Sequence, residues 1–204
     1  MGQKKVWNQI ASGWSGWRNQ PHRIYVNYAG EWPPGRILDI GCGNGRNSLP
    51  FAKKGFKCYG IDFSKAMIKE AGKFAKRNGM KINLKVADQG KLPFKDGTFD
   101  YCISNAALHH IETEIVRLRA LKEIKRVLKP EGQAIISVWN KLQPKHIFKP
   151  SDVLEPWKTK KETLYRYYHL FTPWELKKLI ETSGLDILKS SRMVEKNIEF
   201  VVKK

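Results

Sequence analysis

Two short apolar runs, separated by a glycine-rich turn and a helix-compatible stretch, constrain this chain more than any other feature. Between residues 36 and 61 the order is ILDI, then GCGNG, then RNSLPFAKK, then FKCYGI. Short apolar runs bounded by turn residues read as buried strands, and the stretch between them is long enough to bring the chain back for parallel pairing. This is a β-α-β unit, with Pro50 leaving the limits of its helix open. The alternation continues with a helix over residues 65–77, strands over 82–87 and 99–104, a helix over 113–128 and a strand over 133–139. Strands alternating with helices predict an α/β fold, a mostly parallel sheet with helices on both faces.

Later in the chain, Thr172-Pro173-Trp174-Glu175 places a capping hydroxyl, a proline at the first helical position and a glutamate at the third. That is a capping box, so a last helix starts there, runs to about Ser183 and stops at Gly184. Two final strands, around 185–188 and 198–202, are joined by a charged link and fit an antiparallel pair at the sheet edge. Residues 141–171 carry three prolines and no clear period. A connection of this length reads as a lid or binding loop. It holds seven basic residues (Lys141, Lys145, Lys149, Lys158, Lys160, Lys161 and Arg166) against Asp152, Glu155 and Glu162, and it closes on YRYYHLF.

Charge enters here, because 38 Lys plus Arg stand against 19 Asp plus Glu for a formal net charge of +19. A polyanion such as nucleic acid is the first partner to consider. Cys42, Cys58 and Cys102 lie far apart with no zinc-type spacing, which fits a reducing setting. No run is long and apolar enough to span a bilayer or to form a signal peptide, so a cytoplasmic chain without a membrane partner is expected. Gly2 in MGQKKV lacks the Ser or Thr that a myristoylation site wants at position 6. The whole of 1–204 reads as a single domain, with 1–35 an N-terminal substrate-side segment and 141–171 a lid insertion.

Asp39-Ile-Gly41-Cys-Gly43-Asn-Gly45 follows the first strand and opens a helix, the setting in which a glycine turn means a nucleotide-type ligand. The Gly-x-Gly-x-Gly spacing departs from the dinucleotide pattern, and Asp39 suits an ammonium group better than a phosphate. S-adenosylmethionine (SAM), which has no pyrophosphate, satisfies both. Asp62 ends the second strand, 21 residues after Gly41, where it can accept from both ribose hydroxyls. Asp88 ends the third and can accept from an adenine amino group; Asn105, closing the fourth, completes the cofactor set. None of the cysteines is placed to be a nucleophile, and Asn105-Ala106-Ala107-Leu108 is not the Asp/Asn-Pro-Pro-aromatic stretch of base-amino methylases. A carboxylate needs no general base, only an anchor, alignment and exclusion of water. Arginine can anchor it and aromatic rings can close the pocket, and YRYYHLF supplies both.

With its glycine turn and three acidic strand ends, the sequence resembles the seven-stranded, Rossmann-like class I SAM-dependent methyltransferases. CISNAALHH, EIKRVLKPEGQAIISVWN and RYYHLF resemble, in particular, the tRNA wobble-uridine carboxymethyl methyltransferases, including the methyltransferase half of AlkB-type tRNA hydroxylases. The likeness runs from VWNQIASGW to the last strand. It departs at Trp139-Asn140, where the family tends to have Trp-Ala, and at Lys196-Asn197-Ile198, where it tends to have Gly-Asn-Trp. The resemblance implies esterification of 5-carboxymethyluridine in the tRNA anticodon and a small zinc-containing activator protein as partner. On the substrate side the candidates are Arg166, Tyr168 and His169, with His110, Trp139 and Arg18. Of the neighbours His109 and His110, at most one is expected to enter the pocket. The alternatives are a small-molecule carboxyl or phenol O-methyltransferase and a non-catalytic SAM- or RNA-binding module.

Overall fold

The computed structural model describes residues 2–191 and 195–204. Two helices, α1 (Gln3–Ser15) and α2 (Arg23–Glu31), precede the first strand. Then come β1 (Arg36–Ile40), α3 (Leu49–Lys53), β2 (Lys57–Asp62), α4 (Lys65–Arg77), β3 (Ile82–Val86), β4 (Phe99–Asn105), α5 (Glu114–Val127) and β5 (Leu128–Trp139). A hairpin of β6 (Asp152–Lys158) and β7 (Thr163–His169) follows, and α6 (Pro173–Thr182), β8 (Asp186–Ser190) and β9 (Asn197–Lys203) end the chain.

Seven strands form one sheet in the order β3-β2-β1-β4-β5-β9-β8, parallel from β3 to β5, with β9 antiparallel to both of its neighbours. The final pair is thus antiparallel as expected, with β9 inserted between β5 and β8. Residues 192–194, in the charged link joining them, lie outside the described residues. Because the strand order reverses between β1 and β4, helices diverge to opposite faces there and a crevice opens beyond the strand ends. The register brings those ends level: Ile40 faces Ile61, Asp62 faces Val86 and Asn105 faces Ser137.

Both faces are buried, as a parallel sheet requires. On β1, Leu38 and Ile40 join α5 and α6 through Leu121, Ile124, Leu176 and Ile180. Ile37, one residue before Leu38, points to the opposite face with Tyr25, Phe51 and Ile103. The capping box forms: the Glu175 N–H donates to Thr172 Oγ1 at 3.2 Å, and the Thr172 N–H reaches Glu175 Oε2 at 3.5 Å. Gly184 stops the helix with φ +80°. Among the described residues no helix is long and apolar enough to cross a membrane.

Residues 141–171 differ from the expected loop, since most of them form the β6–β7 hairpin, with Val153 opposite Tyr168 and Glu155 opposite Arg166. The N-terminal segment is also helical. Val6, Trp7, Ile10 and Ala11 of α1 pack on Met67 of α4 and Leu164 of β7. Asn8 Oδ1 fixes that contact by accepting from the Ser64 hydroxyl at 2.8 Å and the Ala66 N–H at 3.0 Å. Helix α1 therefore bridges the sheet domain to the hairpin, directly over the crevice.

Candidate active site

The glycine turn is built for close approach. Gly41, Gly43 and Gly45 have φ of +66°, +54° and +80°, in the left-handed region that side-chain-bearing residues rarely adopt. A Cβ on Gly41 would lie 2.4 Å from the Ala107 Cβ, and one on Gly43 would lie 3.3 Å from the Trp14 ring. The turn therefore passes tightly beneath the end of β4 and against α1. Ala106, at the same place, also has positive φ, +54°.

A cavity of about 360 Å³ lies over the carboxyl ends of β1, β2, β4 and β5. Gly41, Gly43, Asp62 and Asn105 line it, as do Arg18, His110, Trp139 and Tyr168. Asp62 Oδ2 accepts the Gly43 N–H at 3.1 Å and Oδ1 accepts the Ser64 N–H at 2.8 Å. Burial raises its carboxyl to about 6, and the bonds from Ser64 and Gly43 hold it from rising further. Asn105 is set by the buried Tyr25, whose hydroxyl donates to its Oδ1 at 3.2 Å.

Three of the cofactor candidates sit elsewhere. Asp39 is buried behind the turn, where it accepts the Ser48 hydroxyl at 2.7 Å and burial raises its pKa to about 7. It buttresses the turn rather than lining the cavity. Gly45 packs toward Ala71 and serves the turn's geometry. Asp88 Oδ1 accepts the Gly90 N–H at 2.7 Å, and its neighbour Gln89 lines the cavity instead.

On the opposite wall, Tyr168 stacks on Trp139 with ring centroids 4.2 Å apart and planes 12° from parallel. Arg166 Nη1 donates to the Tyr168 hydroxyl at 2.8 Å, with the guanidinium 5.1 Å from the Trp157 ring. Arg166 does not itself line the cavity; it reaches it through Tyr168. His169 is a correction. In a strand, alternate side chains face opposite ways, and His169 lies with Tyr167 on the side away from Tyr168. Its ring nitrogens donate to Asp152 and Glu175, each at 2.6 Å.

Both histidines after β4 line the cavity, against the expectation of one. They sit in a 3-10 turn, Leu108–His110, where strand alternation does not apply. His110 Nδ1–H donates to the Tyr167 carbonyl at 2.9 Å, leaving Nε2 as the acceptor nitrogen, and burial, with Arg166 nearby, lowers its pKa to about 4. His109 Nδ1 accepts the Trp139 N–H at 3.1 Å, so its proton is on Nε2. That buried Nε2–H has no partner among the described residues, and burial, with His110 and His169 close by, lowers the His109 pKa well below the ordinary value.

Sequence reasoning missed Arg46, Trp7, Trp14, Asn44, Lys145 and Lys196, all lining the cavity. Arg46 had a signal, since it directly follows the third glycine. Arg18 and Arg46 flank Trp14, their guanidinium carbons 4.6 and 5.6 Å from its ring. Burial lowers both pKa values. Among the described residues, the lining cations Arg18, Arg46, Lys145 and Lys196 face a single lining carboxylate, Asp62.

These residues fit SAM. A Cβ-free cradle admits the ligand against the backbone, the Asp62 carboxylate waits at the end of β2, and Asn44 Oδ1 is buried without a partner among the described residues. Two buried carboxylates beside the turn disfavour a pyrophosphate. A reversed strand beside β5 in a seven-stranded sheet, with this cradle at the switch point, defines a class I SAM-dependent methyltransferase. The model of the family described as "Methyltransferase domain" matches residues 38–136. A SAM-dependent methyltransferase of Methanosarcina mazei superposes with a TM-score of 0.75 at 26% identity, covering 91% of this chain and 98% of that one. The tRNA (carboxymethyluridine(34)-5-O)-methyltransferase of Schizosaccharomyces pombe is 30% identical over 212 residues, 91% of this chain and 89% of the relative. Its Saccharomyces cerevisiae counterpart is 33% identical over 159 residues, 75% and 55% respectively. The chain belongs to the family of SAM-dependent methyltransferases that includes these tRNA-modifying enzymes.

Proposed function

We propose that the protein methylates the carboxylate of 5-carboxymethyluridine at the wobble position of tRNA. The observation that carries this reading is the charge of the cavity, where, among the described residues, four cationic side chains meet one carboxylate. An anionic group is what such a wall holds. The names of the relatives from Schizosaccharomyces pombe and Saccharomyces cerevisiae support the same substrate.

Bound SAM supplies the methyl group as an electrophile on its sulfonium. Gly41, Gly43, Asp62 and Asn105 hold it, with Asp39, Gly45 and Asp88 shaping the turns around it. Arg18 and Arg166 hold the anionic side of the substrate, Arg166 through Tyr168. The Trp139–Tyr168 stack, with Trp7 and Trp14, excludes water from the reacting atoms. A carboxylate is already ionised, so no group has to remove a proton. His110, neutral at pH 7, accepts through Nε2 and positions the base. The segments 1–35 and 141–171 form the substrate side, a reading supported by Trp7, Trp14, Arg18 and Tyr168 in the lining. A small zinc-containing activator docking on a sheet edge and a cytoplasmic setting complete the proposal.

The test is nucleoside mass spectrometry on tRNA, with and without 5-carboxymethyluridine, after incubation with the protein and isotope-labelled SAM. A labelled methyl ester on that nucleoside is the expected result. Label elsewhere would discard the carboxylate chemistry. Removing a buried charged partner costs about 2–5 kcal/mol, so Arg166→Ala should lose about a hundredfold or more in kcat/KM while SAM affinity stays within a few fold.

A further inference from the structure

At the rim of the cavity an aromatic ring is held in place and left uncovered. Trp17 follows α1 and is 72% exposed. It is nevertheless fixed, because its Nε1–H donates to the Gly13 carbonyl at 2.9 Å and the Arg18 guanidinium carbon lies 5.1 Å from its ring. Across the rim, Trp157 of β6 approaches to 6.1 Å between ring centroids, tilted by 39°. Burial does not explain an indole pinned in this way, since most of its surface stays in water.

Both rings connect to the cavity wall by one link. Trp17 is adjacent to Arg18, which lines the cavity, and Trp157 sits over Arg166, which bonds the Tyr168 hydroxyl. Beside Trp157, the tip of the hairpin carries Lys158, Lys160 and Lys161, all exposed and with no carboxylate partner among the described residues. An indole face backed by a guanidinium and flanked by unneutralised lysines is the chemistry of a nucleobase platform with a phosphate track beside it. Single-stranded RNA loops are recognised in this way, by splayed bases stacking on aromatic and arginine planes.

We infer that Trp17, backed by Arg18 and faced by Trp157, stacks the unpaired base next to the wobble uridine, while the hairpin-tip lysines hold the adjoining phosphates. This rests on the anticodon loop being the substrate. It assigns to the rim a nucleotide subsite separate from the one in the cavity.

The experiment measures affinity of the full chain for an unmodified anticodon stem-loop, by fluorescence anisotropy, for the wild type, Trp17→Ala and Trp17→Phe. The same is done with stem-loops made abasic at either nucleotide flanking the wobble position, and SAM affinity is measured alongside. Base stacking worth about 1–3 kcal/mol predicts a loss of about tenfold or more for Trp17→Ala. Trp17→Phe should keep most of the affinity. One of the two abasic stem-loops should lose a similar factor with the wild type and nothing further with Trp17→Ala. Unchanged affinity in Trp17→Ala overturns the inference, as does a Trp17→Ala loss that multiplies with both abasic losses. A parallel fall in SAM affinity would make Trp17 structural and also overturn it. Because binding is read without methyl transfer, a wild type that binds the stem-loop through Trp17 yet labels no carboxymethyluridine overturns the proposed function and leaves the platform standing. A wild type that labels carboxymethyluridine but shows no Trp17 effect overturns the platform alone.

Discussion

Asp62 is the residue whose surroundings say most about the cofactor. Its two oxygens are each held by a backbone N–H, yet burial still raises its carboxyl to about 6. For an acid whose folded pKa is raised, the stability contribution is complete below the unfolded value of 3.8 and is lost as pH rises through about 6. The ligand-free protein therefore becomes less stable across that window. Ribose hydroxyls need an ionised acceptor, so SAM affinity should move the opposite way, rising between about pH 5 and 7 and levelling above. Calorimetry in two buffers of different ionisation heat should detect a proton released on binding near pH 6. A binding profile flat across that range would remove Asp62 as the ribose partner. Asp62→Asn, which cannot accept both N–H bonds, should weaken SAM by about tenfold or more.

At the scale of elements, the hairpin is tied to α6 by one histidine. His169 on β7 bonds Asp152 on β6 and Glu175 at the third position of α6. Tyr167 adds its hydroxyl to Asp152 at 2.6 Å, and Arg117 of α5 faces the group as its second cation. Burial opposes the His169 charge, but its bonds to Glu175 and Asp152 outweigh it and the pKa is raised. The clamp is therefore complete below the unfolded value of 6.5 and is lost as pH climbs through the raised folded one. Asp152 and Glu175 are both lowered, so the acidic limit falls below their usual range. Hydrogen exchange of the β7 amides should quicken on the alkaline side, and His169→Gln, which cannot titrate, should abolish that step. An identical pH profile in His169→Gln would show that the clamp does not hold the hairpin. None of this was legible in the sequence. Pro156 inside β6 and the lysine-rich tip hide the strand pattern, so the sequence alone makes YRYYHLF the close of a lid and groups His169 with Tyr168, although alternation along β7 places them on opposite faces. By contrast α4 (Lys65–Arg77) has the predicted limits and the capping box of α6 forms as read, because those signals are local.

For the whole molecule, the two halves of the site differ in how general they are. The family model matches residues 38–136, which span β1 to most of β5 and hold the glycine turn, Asp62 and Asn105. Helix α1 and the hairpin lie outside that match, whereas the alignment with the fission yeast relative covers 91% of this chain. Composition pointed to a polyanion, with a net charge of +19, but could not place it. The fold brings Arg18 and Arg46 into the cavity and puts Lys158, Lys160 and Lys161 at the hairpin tip beside it. Each phosphate neutralised on a single strand contributes about 0.7 to the slope of log affinity against log salt. Replacing the three lysines by alanine should therefore shallow the slope for an anticodon stem-loop by about two. The same change should leave SAM affinity untouched, since none of the three lines the cavity. Were the slope to stay as in the wild type, the RNA would have to lie over another part of this basic surface. The hairpin would then act only to close the cavity.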